Sequence, residues 1–171
     1  MNFIATFLFM FISFLLQSTL LSQFNIGGIT PNLLIIATAS VGLILGRRYG
    51  MISGFVAGLV VDIFFGRVLG IYALLYMFIG YLNGFFRKIL FSGDFKLPLA
   101  LIIGSDLAFG HGCYLLLFFF RGDFNYLYYL TSIILPEVIY TTIIAVLYFP
   151  LIKWVFDKIR HFEEKDIETI V

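Results

Sequence analysis

The sequence predicts an all-α, polytopic membrane protein: six transmembrane helices in one bundle, with the N- and C-termini in the cytoplasm. Apolar residues make up 61% of the 171 residues, charged residues only 12%, and the mean hydropathy is +1.05. A soluble domain of this length could not bury so much apolar surface, so the chain belongs in a lipid bilayer. Glycine, proline and charged residues divide the apolar sequence into six segments, and an even number of crossings leaves both ends on one side.

Residues 1–153 form the predicted transmembrane domain, and a short charged cytoplasmic tail follows at 154–171. The six candidate spans are 3–22, 31–46, 50–66, 69–87, 97–120 and 127–152. The first span lacks a basic segment before it and a small-x-small cleavage site after it, so we interpret it as a retained helix and not as a secretory signal. Spans two and three would cover only about 24–26 Å of a roughly 30 Å hydrocarbon core. They can cross where the bilayer thins; a pair of half-helices that enter the membrane is the alternative.

Prolines and a threonine predict where several helices begin or bend. Thr30 and Pro31 fit the N-cap and the first helical position of span two, where the missing proline N–H costs nothing. Pro98 has the same place in span five. Pro136 and Pro150 fall within span six or near its end, so we expect the last helix to bend.

Basic residues orient the bundle. With the N-terminus inside, two basic residues fall in outer loops, Arg67 and Arg121. Nine fall in the inner loops and tail: Arg47, Arg48, Arg87, Lys88, Lys96, Lys153, Lys158, Arg160 and Lys165. Because cytoplasmic loops retain positive charge, this asymmetry predicts that both termini of this multi-pass protein are cytoplasmic.

Three acidic residues lie within the predicted spans: Asp62, Asp106 and Glu137. An ionisable group at membrane depth is expensive and normally faces protein or a watery cavity. Three roles are open: a buried carboxyl that joins two helices, recognition of a partner within the membrane, and proton or solute handling. Arg67 is a candidate partner for Asp62. Four tyrosines are candidate hydrogen-bond partners of the three acids: Tyr72, Tyr76, Tyr81 and Tyr140.

Asp62 also continues a ladder of glycines at four-residue spacing. Gly50, Gly54, Gly58 and Asp62 form one stripe on the third helix, because a four-residue step rotates by only about 40° beyond a full turn. Glycines in such a stripe let a neighbouring helix approach the backbone closely. We therefore interpret Gly50, Gly54, Gly58, Asp62, Asp106 and Glu137 as candidate helix-packing or partner-interface residues, with Asp62 as a polar contact between two helices.

Signatures of catalysis and of cofactor binding are absent from the sequence. It contains no G-x-x-x-x-G-K-[ST], H-E-x-x-H or G-x-S-x-G, and His111 and Cys113 stand outside any metal-ligand spacing. No basic and aromatic surface outside the membrane suggests nucleic-acid binding. We therefore predict a protein without enzymatic activity, catalytic residues, metal or cofactor.

Several stretches together resemble one family. They are LLQSTLL in span one, GITPNLLII at the start of span two, GFVAGLVVDIFFGRVLGIYALLYMFIGYLNG across spans three and four, and LPEVIYTTIIAVLYFPLIKW in span six. This combination resembles MreD, the rod-shape-determining membrane protein of bacteria. The resemblance covers nearly the whole chain, and residues 54–84 are its most specific part.

The resemblance implies a non-enzymatic, multi-pass scaffold in the bacterial cytoplasmic (inner) membrane. This scaffold is part of the cell-elongation machinery, or elongasome, and helps to organise peptidoglycan synthesis and cell shape. The resemblance also implies binding to an MreC-like protein, within an assembly that also contains penicillin-binding protein 2, RodA and MreB. The family's fold is considered similar to the substrate-binding subunits of energy-coupling-factor vitamin transporters. Such a subunit is the alternative function, although the first span carries bulky phenylalanines where those subunits have a small-residue docking stripe.

Overall fold

The computed structural model describes residues 3–21, 23, 28–66, 68–90, 96–119, 122 and 124–170, with side chains omitted for 89, 90 and 160–170. The regular elements of these residues are all helical. Arg67 and Arg121, the two predicted outer cations, lie outside the described residues. So does the suggested pairing of Arg67 with Asp62.

Six helices follow one another along the chain, and three of them continue with a change of helical type. Helix α1 is Phe3–Leu16 with a π-helical extension, Gln17–Leu21; α2 is Leu33–Leu45; α3 is Arg47–Phe65; α4 is Ile71–Asn83, followed by a 3-10 turn, Gly84–Phe86, and a short helix, Arg87–Leu90; α5 is Lys96–Leu117; α6 begins with Tyr126–Tyr129 and a π-helical stretch, Leu130–Ile134, and continues as Leu135–Ile170.

Four of these helical segments are long and apolar enough to cross a membrane: Phe3–Leu21, Arg47–Phe65, Lys96–Leu117 and Tyr126–Ile159. Leu33–Leu45 and Ile71–Phe86 are shorter apolar helices. The expectation that span three is short is wrong, because α3 begins directly after Gly46 and includes the basic pair that we had placed in a loop. The second short helix is α4, which begins only after Gly70, whose φ of +102° does not fit a right-handed helix.

Helix α2 forms the centre of the bundle. All 13 of its residues are buried, and it contacts each of the other five helices. Its sequence, LLIIATASVGLIL, is apolar on every side, as expected for a helix surrounded by protein. At about 1.5 Å per residue, α2 is roughly 20 Å long. It is therefore shorter than the roughly 30 Å hydrocarbon core of a bilayer.

The structure corrects the predicted helix start and shows how the prolines are accommodated. Asn32, and not Thr30, is the N-cap of α2, and Pro31 precedes the helix. Pro98 is the third residue of α5, within the first turn, where no intrahelical partner is needed for its nitrogen. Helix α6 passes through Pro150, and a π-helical stretch lies just before Pro136. Its backbone remains helical to Ile170, so the charged tail continues α6.

Candidate functional site

The N-terminus of α2 is capped by side chains from different parts of the bundle. The Asn32 N–H donates to Thr141 Oγ1 of α6 at 3.0 Å, and the Leu34 N–H donates to Gln17 Oε1 of the α1 extension at 2.9 Å. The Ile35 N–H donates to the side chain of Asn32 at 3.2 Å. The first N–H groups of a helix have no intrahelical acceptor, and within a bilayer water cannot supply one. These bonds therefore allow α2 to begin inside the bundle.

The Asn32 side chain connects two more helices to this point. Tyr76 of α4 donates its hydroxyl proton to Asn32 Oδ1 at 3.0 Å, and Asn32 Nδ2 donates to Glu137 Oε1 of α6 at 3.3 Å. Asn32 and Tyr76 are buried. The Glu137 carboxyl group thus accepts a hydrogen bond that joins α2 to α6.

Asp62 caps the second short helix. Its carboxylate, at the end of α3, accepts hydrogen bonds from the N–H groups of Gly70 at 3.0 Å, Tyr72 at 3.1 Å and Ala73 at 2.9 Å. These groups lie at the start of α4, which has no cap from its own N-cap residue, Gly70. A carboxylate at this position also interacts favourably with the positive end of the helix dipole. The Asp62 side chain is 3% exposed, and its bond with Ala73 is buried.

The glycine ladder lies along the contact between α3 and α4. A Cβ on Gly50 would overlap the carbonyl group of Gly80, one on Gly54 would overlap the Tyr76 carbonyl, and one on Gly58 would overlap the backbone of Tyr72 and Ala73. Residue numbers along this contact rise in α3 and fall in α4, so the two helices are antiparallel. Side chains are excluded along this line because the two backbones touch. Helix α4 therefore already covers Gly50, Gly54 and Gly58, and no partner helix can reach them.

Asp106 and Glu137 lie within electrostatic range of each other, whereas Asp62 is engaged with α4. Asp106 is 2% exposed on α5, and neither of its carboxyl oxygens has a hydrogen-bond partner among the described residues. Thr141 is its polar neighbour. The structure thus places two of the three predicted acids within electrostatic range of each other, and the third joins α3 to α4.

Two adjoining cavities, of about 380 and 300 Å³, lie beside these polar groups. They share Phe65, Tyr72 and Phe109 in their walls. Glu137 lines the larger cavity and Asn32 the smaller one. Aromatic and aliphatic side chains form most of both walls, so the cavities combine an apolar interior with a few polar groups, as small-molecule sites do.

Within the described residues, no three histidine, cysteine, aspartate or glutamate side chains are grouped to hold a metal ion. Cys113 lines the larger cavity, and His111 hydrogen bonds to the Leu107 carbonyl and to Tyr126. The arrangement can bind and position groups, and most of its polar atoms are engaged in joining helices.

Sequence reasoning missed Asn32 and Thr141 as members of this site. A signal for Asn32 was present, because asparagine immediately before an apolar run is a preferred N-cap. Thr141 gave no signal, since a threonine within an apolar helix commonly bonds to its own backbone.

Comparison with known proteins gives one result at the level of family. The family model described as rod shape-determining protein MreD matches residues 1–159, which include helices α1 to α5 and most of α6. Searches of curated proteins and of solved structures gave no significant match. The matched range contains both capped short helices and the α3–α4 glycine contact. The chain belongs to the MreD family of rod shape-determining membrane proteins.

Proposed function

We propose that this protein is a non-enzymatic, multi-pass component of the bacterial cell-elongation complex in the cytoplasmic membrane, and that it acts by binding. The observation that carries the proposal is the family match over residues 1–159. The hydrogen bonding supports it, because Asp62, Asn32 and Glu137 hold helices together. The protein then supplies a rigid surface within the bilayer and helps to organise peptidoglycan synthesis.

The proposed direct partner is an MreC-like protein with a single transmembrane helix. Penicillin-binding protein 2, RodA and MreB belong to the same assembly in this proposal. Helices associate in lipid through close packing and hydrogen bonds, since lipid tails are as apolar as the side chains. A partner helix therefore needs a surface with small side chains that the bundle itself leaves uncovered.

Helix α5 offers such a surface. Ala100, Gly104 and Ala108 recur at four-residue spacing, and all three are exposed at the outside of the bundle. A Cβ on Gly104 would meet nothing within 4 Å. This stripe contrasts with Gly50, Gly54 and Gly58, which α4 covers. We expect the partner helix to pack along α5.

Co-purification tests the proposal. The full chain is expressed together with the MreC-like protein encoded beside it and extracted in mild detergent. We expect the two chains to elute together at a fixed ratio. A matched pair of variants, Gly104→Leu on α5 and Val146→Phe at an exposed position of α6, separates a specific surface from general apolar contact. Elution of this chain alone, at every detergent concentration that preserves its fold, would contradict the proposal.

The two cavities favour one alternative, a solute-binding subunit of the energy-coupling-factor type. Their walls place Glu137, Tyr72 and Asn32 around a space of the size that small ligands occupy. A ligand that binds only the folded protein raises its melting temperature. A vitamin or other small solute that raises the melting temperature of the chain, while the MreC-like protein fails to bind it, would favour this alternative.

A further inference from the structure

A third cavity, of about 550 Å³, lies at the end of the bundle opposite the polar site and carries four basic residues. Arg47 and Arg48 come from the start of α3, and Arg87 and Lys88 come from the short helix that follows α4. All four are exposed, and none of the residues that line the cavity is acidic. Two basic pairs that are far apart in sequence thus converge on one concave surface.

Glycines make this convergence possible. Gly46, with φ of +96°, lets the chain turn directly from α2 into α3, and the Arg87 side chain passes next to it. Gly84 lies against the backbone of Arg47, where any Cβ would overlap the main chain. The two basic turns are therefore held in contact by backbone packing.

No acidic side chain compensates these charges among the described residues that line the cavity. Like charges that share a small space repel one another, and the repulsion is relieved by a bound anion. Helix α3 adds to the positive potential, because Gly46 offers no side-chain cap to its first N–H groups. Arg47 is also fixed in place, since its guanidinium group lies 3.9 Å from the centre of the Phe85 ring.

We propose that this cavity binds a phosphate group. Two sources have the same chemistry, the phosphodiester headgroup of an anionic lipid and free inorganic phosphate. Four cations and a helix N-terminus suit an anion with several acceptor oxygens. Leu45, Tyr49 and Phe85 provide an apolar side to the cavity, which suits a headgroup with acyl chains attached. The site is separate from the α5 surface, so partner binding and anion binding can fail independently.

Native mass spectrometry of the detergent-solubilised full chain tests the proposal, with equal amounts of phosphatidylglycerol and phosphatidylcholine. We expect a clear preference for phosphatidylglycerol. Arg48→Gln combined with Lys88→Gln should weaken its binding about 30-fold, and each single variant should weaken it about fivefold. The single variants also serve if the double variant does not fold. Lys153→Gln with Lys158→Gln removes the same charge from α6, outside the cavity, and should leave binding unchanged.

A second arm measures the melting temperature with inorganic phosphate against chloride at equal ionic strength. Free phosphate is identified as the ligand if phosphate stabilises the wild type, the Arg48→Gln, Lys88→Gln variant loses this stabilisation, and no lipid preference is seen. A lipid preference without a phosphate effect identifies the headgroup. Equal binding by the wild type and the cavity variants, or an equal loss in the Lys153→Gln, Lys158→Gln control, would overturn the proposal.

Discussion

Replacement of Asp62 separates a capping role from a role of its charge. Asp62 Oδ2 accepts bonds from Gly70 and Ala73, and Oδ1 accepts one from Tyr72. Asp62→Asn can keep its carbonyl oxygen at the Oδ2 position and lose only the Tyr72 bond. Asp62→Leu leaves three N–H groups without this acceptor, one of them buried and two partly buried. Each unsatisfied donor costs about 1–3 kcal/mol.

We therefore expect Asp62→Asn to lower the free energy of unfolding by about 1–2 kcal/mol and Asp62→Leu by about 3–6 kcal/mol. Reversible unfolding of the purified chain in mixed micelles, with increasing dodecyl sulfate, measures both values. Asp106 provides the matched control, because its carboxyl oxygens accept no hydrogen bond among the described residues. Asp106→Leu should cost no more than Asp106→Asn, since an apolar side chain can replace an unpaired buried polar group.

The outcome that refutes the capping role is equal loss in the two Asp62 variants. That result would return the negative charge itself to a functional role. A loss on Asp62→Leu of less than about 1 kcal/mol, smaller than for a single unsatisfied N–H group, would also contradict the geometry described here.

Three further predictions concern packing, partner binding and orientation. Gly54→Ala places a Cβ against the Tyr76 carbonyl, so the melting temperature should fall by an amount equivalent to about 1–3 kcal/mol. In the control, Gly104→Ala, the new Cβ meets open space, and the melting temperature should stay unchanged or rise slightly. Equal effects of the two substitutions would refute the close contact of α3 and α4. Gly104→Leu should reduce the amount of co-purified MreC-like protein at least tenfold without lowering the melting temperature. Val146→Phe should leave the amount of co-purified protein unchanged. The same loss of partner in both variants would place the partner elsewhere. In a Cys113→Ser background, Arg48→Cys and Lys158→Cys should resist a membrane-impermeant maleimide in intact cells and react after lysis; labelling in intact cells would reverse the proposed topology.

The sequence identified the helical class and the approximate place of each of the six helices, because hydrophobic length is a strong local signal. It misjudged which helices are short. The Arg47–Arg48 pair suggested a loop, yet a helix whose end reaches the bilayer surface readily includes basic residues in its first turn. Helix α4 begins after Gly70 and not at residue 69 as predicted, because the positive φ of Gly70 does not fit a right-handed helix. The N–H of Gly70 donates a hydrogen bond to Asp62.

The candidate site was accessible to sequence reasoning only in part. The four-residue spacing of Gly50, Gly54 and Gly58 indicated a close helix contact, since a stripe on one helix needs only local information. The partner of that stripe is a separate helix, α4. The meeting of Asn32 with Thr141 and Glu137 depends on contacts between residues over 100 positions apart. No local pattern encodes such contacts. The cavities have the same origin, because their walls come from several helices.

We propose that this chain acts by binding the transmembrane helix of an MreC-like protein, and photocrosslinking in living cells detects such a contact where it occurs. A photoreactive amino acid is placed at Gly104 on α5 and, as a control, at Phe78, which is exposed on α4. We predict an adduct with the tagged MreC-like protein at Gly104 and none at Phe78. Absence of that adduct from Gly104 and from the neighbouring α5 positions Ala100 and Ala108, with both proteins present at normal levels, would contradict the proposed function.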